Sequence, residues 1–170
     1  MTHRLHTRRD ALALLGAALT LPGAARASAP REIMWEDLIP PGVPYGEIIG
    51  EGYLDWDNDI WEPVFDENAF KLNPALDNAY IRMPGFIIPL ELSLEGVRSF
   101  VLVPYLGACI HVPPPPPNQL VFAEAAAPLP AQDLWDAVWV TGTMRTELQM
   151  TEIAETGYAL AVESMELYEW

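Results

Sequence analysis

The sequence predicts a mainly β fold: a small closed five-stranded barrel preceded by an irregular, partly helical N-terminal extension. Three observations carry this. Strand-like runs rich in β-branched and aromatic residues recur at Ala79–Leu92, Arg98–Pro104, Gln119–Glu124, Ala137–Arg145 and Tyr158–Tyr168, separated by turn residues. The first run contains Met83-Pro84-Gly85-Phe86, where glycine permits a bend or bulge and proline demands an edge or bulge position, so that strand is expected to coil. The last run is long enough to close against it. Together they suggest a barrel of the oligonucleotide/oligosaccharide-binding type, with a two-sheet sandwich as the alternative.

The extension is expected to span residues 28–78 and the barrel 79–170. Within the extension, Trp35, Leu38 and Ile39 have helical spacing, and Pro40-Pro41-Gly42 stops them, so one short helix at most forms there. Residues 46–74 are acidic, aromatic and irregular, with a second short helix expected around Glu67–Leu72, ended by Asn73-Pro74. The prolines Pro113 to Pro117 require an extended, polyproline II conformation.

The chain has 170 residues, 9 basic against 24 acidic, and a formal charge of -15. Four of the arginines and Asp10 lie in residues 1–27, so the remainder is about -18 on the same count. Nucleic-acid binding is excluded by the lack of basic clusters to neutralise phosphates, and anionic lipid is disfavoured for the same reason. Cations are attracted.

Residues 1–27 read as an export signal. Thr7-Arg8-Arg9-Asp10-Ala11-Leu12 resembles a twin-arginine motif, an Ala- and Gly-rich apolar run follows from Ala11 to Leu21, and Ala25-Arg26-Ala27 offers a small-residue cleavage site before Ser28. Ala11 and Ala13 replace the usual aromatic and lysine. Cleavage after Ala27 and a periplasmic location are the expectation. The apolar run is too short to span a bilayer, so no membrane insertion of the mature chain is expected.

Beyond that leader the chain holds one cysteine, Cys109, and one histidine, His111. A single cysteine forms no internal disulfide and lacks the resolving partner of a redox pair. In an extended segment these two residues share a face, about 6.5 to 7 Å apart at Cα. Three readings follow. As ligands for zinc or copper they supply two donors, so a carboxylate such as Glu91 or Glu36, or a partner protein, completes the set. As a thiolate–imidazole pair they form a nucleophile and its base, with Asn118 or Gln119 orienting the ring. As plain packing, Cys109 is a small buried apolar group, His111 bonds a carbonyl, and the prolines brace the loop.

Two weaker patterns compete. Asp55, Asp57 and Asp59, with Asp66 further on, echo a calcium loop, but Ile60 occupies the position that needs glycine, and Pro63 interrupts the loop. Six tryptophans suggest sugar stacking, which hydrophobic anchoring explains more simply.

Val103 to Gln119 (VPYLGACIHVPPPPPNQ) closely resembles the signature of an exported bacterial family, domain of unknown function 3299 (DUF3299). The similarity extends to Trp35-Glu36-Asp37-Leu38, to Pro84-Gly85-Phe86-Ile87-Ile88-Pro89-Leu90-Glu91 and to Val138-Trp139-Val140-Thr141-Gly142-Thr143. The resemblance implies a barrel of this type, no established activity, and gene proximity to zinc transport systems. The leading expectation is therefore a periplasmic, non-enzymatic accessory protein that handles zinc through Cys109, His111 and Glu91 beside a membrane transport component. A structural interaction module is the second, docking a membrane partner through Pro113, Pro114, Pro115, Pro116, Pro117, Asn118 and Gln119. A thiol-dependent enzyme using Cys109 and His111 is the third.

Overall fold

The computed structural model describes residues 29–55, 60–108, 114–130 and 137–168. In chain order these form β1 (Arg31–Glu32), a 3-10 turn η1 (Trp35–Leu38), β2 (Ile48–Asp55), β3 (Ile60–Phe65), η2 (Glu67–Phe70) and η3 (Pro74–Leu76). The long strands follow: β4 (Tyr80–Ser93), β5 (Gly96–Val103), β6 (Val121–Leu129), β7 (Val138–Met150) and β8 (Glu155–Leu167), with η4 (Pro117–Gln119) between β5 and β6.

The five long strands close on themselves in the order β4-β5-β6-β8-β7, with β7 returning to β4. Only the β6–β8 contact within this ring is parallel. The closed five-stranded barrel is thus the architecture read from the strand pattern, and the sandwich alternative is set aside. Alternation drives it. Ile81, Met83 and Ile87 of β4 point inward with Val138, Val140 and Met144 of β7, Phe100 and Leu102 of β5, and Leu160 of β8, all buried in one cluster. Neighbours such as Arg82, Val101 and Trp139 face outward.

Closure depends on β4 serving two partners in succession. It pairs with β7 from Tyr80 to Gly85 and with β5 from Phe86 onward, so the change of partner falls at Gly85. A Cβ built there would lie 2.8 Å from Leu102 Cγ, 2.9 Å from Trp35 Cζ2 and 2.9 Å from the Val103 carbonyl oxygen. Glycine is required by close approach. Pro84 falls between the β1 pairing, which ends at Arg82, and the β5 pairing, which begins at Phe86, where one strand edge has no ladder bond for its missing N–H to break.

The extension shares the barrel's core. Ile33, Leu38 and Leu76 are buried in the same cluster as the inward strand residues, and Trp35 packs against it. Outside the barrel, the Arg82 guanidinium lies 4.3 Å from the centroid of the Trp139 ring, which stacks on Tyr168 at 5.2 Å. Arg82 also reaches Glu32 of β1 at 3.7 Å and Glu166 of β8 at 3.2 Å. These exposed ion pairs contribute little energy alone, but with the stacked rings they tie β1, β4, β7 and β8 across one outer face.

Both short helices of the extension form as single 3-10 turns. Within 46–74 the chain also builds a two-stranded antiparallel hairpin, β2–β3, which the sequence pattern does not predict. Its alternation is hidden by Gly50, Gly52 and Pro63 and by register shifts at Ile48/Gly50 and Gly50/Tyr53.

Substituting Gly85→Val is expected to destabilise the protein by about 1 to 3 kcal/mol through overpacking against Leu102 and Trp35, and Gly85→Ala by less. Denaturant unfolding of both variants measures this; a wild-type midpoint for Gly85→Val would contradict the placement.

Candidate functional site

The signature segment leaves β5 at Val103 and returns at β6. Ala108 is fully buried, and its N–H donates to the Tyr105 carbonyl at 3.4 Å. Cys109, His111 and Pro113 lie outside the described residues. Pro114 is half-buried, whereas Pro115, Pro116, Pro117, Asn118 and Gln119 are buried. Pro116 has φ -63° and ψ 156°, the polyproline II conformation, before the chain tightens into η4. The buried prolines and amides are occupied by the protein's own packing, and within residues 114–119 Pro114 is the most exposed.

Burial makes an unpaired amide N–H costly here, and the side-chain donors of Asn118 and Gln119 find acceptors. The Asn118 side-chain amide donates to the carbonyls of Asn68 (2.9 Å) and Lys71 (3.1 Å). The Gln119 amide donates to the Trp35 carbonyl at 3.0 Å and the Asn118 carbonyl at 2.9 Å. Tyr158, fully buried on β8, donates its hydroxyl hydrogen to the Leu38 carbonyl and accepts from the Asn73 N–H at 2.6 Å. Asn73 in turn donates from its side chain to the Asp37 carbonyl at 2.8 Å. Backbones of the Trp35–Leu38 motif and of η2 are thus fastened to η4 and β8. Asn118 Oδ1 has no partner. Gly157 permits the approach, since a Cβ there would lie 2.8 Å from the Pro117 carbonyl oxygen and 3.0 Å from Asn118 Cα.

A second apolar cluster lies on the outer wall. Val101 and Val103 of β5 pack with Ala108 and Leu120, and Phe86, Ile88, Leu90, Ile153 and Ala154 lean against them. Glu91, the carboxylate proposed to complete a metal set, is exposed on β4 next to Leu90, so it neighbours the cluster that anchors Ala108. Glu36 is exposed on η1. Among the described residues no group of three or more His, Cys, Asp and Glu side chains is placed to hold an ion. Asp66, the last acid of the calcium-like pattern, instead caps η2 by accepting from the Asn68 N–H at 3.0 Å. Burial pushes the Tyr45 hydroxyl up to about 12, with nearby Tyr105 adding to the shift.

Sequence reasoning did not find the open groove beside this cluster. It has a volume of about 580 Å³, with Leu90, Ser99 and Phe122 along its floor and Glu91 and the turn Gln149–Glu152 along its sides. These residues are scattered along the chain, and only the strand register brings them together.

Tyr158→Phe removes one hydroxyl that serves two buried backbone groups, and a loss of about 1 to 3 kcal/mol is expected on unfolding. Burial pushes the Tyr158 pKa from 10.0 up to about 12, against a lowering contribution from the Asn73 N–H. The phenol therefore ionises first in the unfolded chain, so its stabilising contribution is complete below pH 10 and is lost as pH rises toward about 12. Denaturation curves at several alkaline pH values should show this decline in the wild type, with that increment missing in Tyr158→Phe.

No curated protein matches the chain. A crystal structure of a DUF3299 family protein from Pseudomonas aeruginosa PAO1 is similar to it at 35% sequence identity and a TM-score of 0.66, covering 84% of this chain and 98% of that one. The family model described as protein of unknown function (DUF3299) matches residues 35–167, the span that holds the fastened motifs and the whole barrel, and the chain belongs to that family.

Proposed function

We propose that this is an exported, periplasmic accessory protein without catalytic activity that holds a transition-metal ion, zinc first, through Cys109 and His111 beside a membrane transport component. The observation that carries this reading is the anchoring on both sides of the Cys109–Pro113 segment. Ala108 is buried against Val101, Val103 and Leu120, and Pro115–Gln119 are buried with the Asn118 and Gln119 amides bonded to the extension. A short segment fixed at both ends lowers the ordering cost of bringing two donors to one ion. Thiolate and imidazole favour zinc or copper over calcium or magnesium, and the acidic surface raises the local cation concentration. Glu91 is the carboxylate of this set, with a partner's side chain or water as the remaining ligand.

Calorimetry of the reduced protein with zinc is expected to show about one ion bound, and a Cys109→Ser, His111→Ala double variant should lose that binding. Affinity should fall as pH drops through the histidine range, because protons compete for both donors. Equal zinc affinity in wild type and double variant would overturn the assignment.

A further inference from the structure

We propose that the open groove on the outer wall of β4, β5 and β6 binds an extended peptide segment bearing lysine or arginine side chains. The inference shares Glu91 with the metal reading but does not rest on a bound ion, since the groove is built from strand register and lining residues. Ser99 pairs in register with Glu91 of β4 on one side and with Glu124 of β6 on the other. Directly paired residues in a sheet share a face, so Glu91 and Ser99, which line the groove, and Glu124, just beyond its lining, form a row across three adjacent strands. The two carboxylates stand two strand spacings apart, about 9.5 Å, too far to share one ion and suitably spaced for two separate cationic contacts. Glu152 adds a third carboxylate from the turn that flanks the groove. Among the described residues, none of these three is in an ion pair.

The floor selects the rest of the ligand. Phe122 and Leu90 are half-buried and give an apolar bed on which an aliphatic stem lies while its charged head reaches a carboxylate. Met150 is 69% exposed at the rim and supplies an adaptable thioether contact. Ser99 and Gln149 present a hydroxyl and an amide to a peptide backbone. A volume of about 580 Å³ is of ligand-cleft size, and the groove is open to solvent, as a passing chain segment requires. Charge complementarity decides the class. A phosphate or an acidic peptide would meet like charge here, while a neutral ligand would leave the carboxylate row unused.

The test uses the full chain with a zinc chelator present, so that failure of the metal reading leaves this result interpretable. The probe is a labelled, acetylated heptapeptide with lysine at alternate positions and serine or leucine between, compared with the same peptide carrying glutamine for lysine, and with spermidine. Anisotropy is expected to show binding of the lysine peptide, weakened at least about tenfold in Glu91→Gln, Glu152→Gln. Phe122→Ala should weaken it too. A Glu36→Gln, Glu62→Gln variant loses the same charge outside the groove and should bind as wild type. Both double variants alter exposed side chains, so thermal unfolding should match the wild type. Equal binding of the glutamine peptide, equal weakening in the two double variants, or competition by spermidine as effective as by the peptide would each overturn the proposal.

Discussion

A buried hydroxyl or amide N–H is costly to leave without an acceptor, and the donors of Tyr158, Asn73, Asn118 and Gln119 organise the molecule. Each of these side chains lies where water is excluded, and each donates to a main-chain carbonyl of a segment that has no ladder of its own. The carbonyls of Asp37, Leu38 and Lys71 gain from these side chains the partners that burial in turns against an apolar core would otherwise deny them, at a cost of about 1 to 3 kcal/mol each, while the Asn68 carbonyl, which also accepts the Lys71 N–H, gains a second donor. The extension therefore packs as an integral part of the barrel. Its Ile33, Leu38 and Leu76 fill the same core as the strands, and its turns are held by the side chains of Asn73, of η4 and of β8.

This arrangement gives the family motifs a physical meaning. Trp35-Glu36-Asp37-Leu38 supplies acceptor carbonyls and the ring that covers Gly85; Asn118-Gln119 supplies the donors; Gly85 leaves space for both the ring and the change of strand partner. The motifs are far apart in sequence and adjacent in the fold. A consequence falls on the proline run, whose inner members are held against the protein while the segment from Cys109 to Pro113 joins two fixed ends. Burial of Ala108 and of Pro115–Gln119 restricts the borders of that segment.

The five barrel strands were legible because their apolar residues alternate with period two, although β6 and β7 each run five residues beyond the ends expected from sequence, to Leu129 and Met150. Two differences are instructive. The run expected to begin at Gln119 starts at Val121, because Gln119 spends its side chain on Trp35 and sits in a 3-10 turn. Glu155–Gly157 extend β8 ahead of Tyr158, where glycine and threonine blur the pattern, although Thr156 is buried and bonded to the Gln149 carbonyl. The β2–β3 hairpin was illegible, since glycines and bulges break its alternation. As for the site, Cys109 and His111 stand out by composition alone, while the groove depends on register between Glu91, Ser99 and Glu124, which no single stretch of sequence contains.

The central claim is that extension and barrel form one cooperative unit joined by buried hydrogen bonds. Native-state hydrogen exchange tests it most directly through the amides of Asn73, which donates to Tyr158, and of Ile33, which donates to the Arg82 carbonyl at 3.0 Å. Exchange of both with the same opening free energy as the central amides of β5 and β7 is the predicted result. Asn73 and Ile33 exchanging through a separate, much lower-energy opening, while β5 and β7 stay protected, would contradict it.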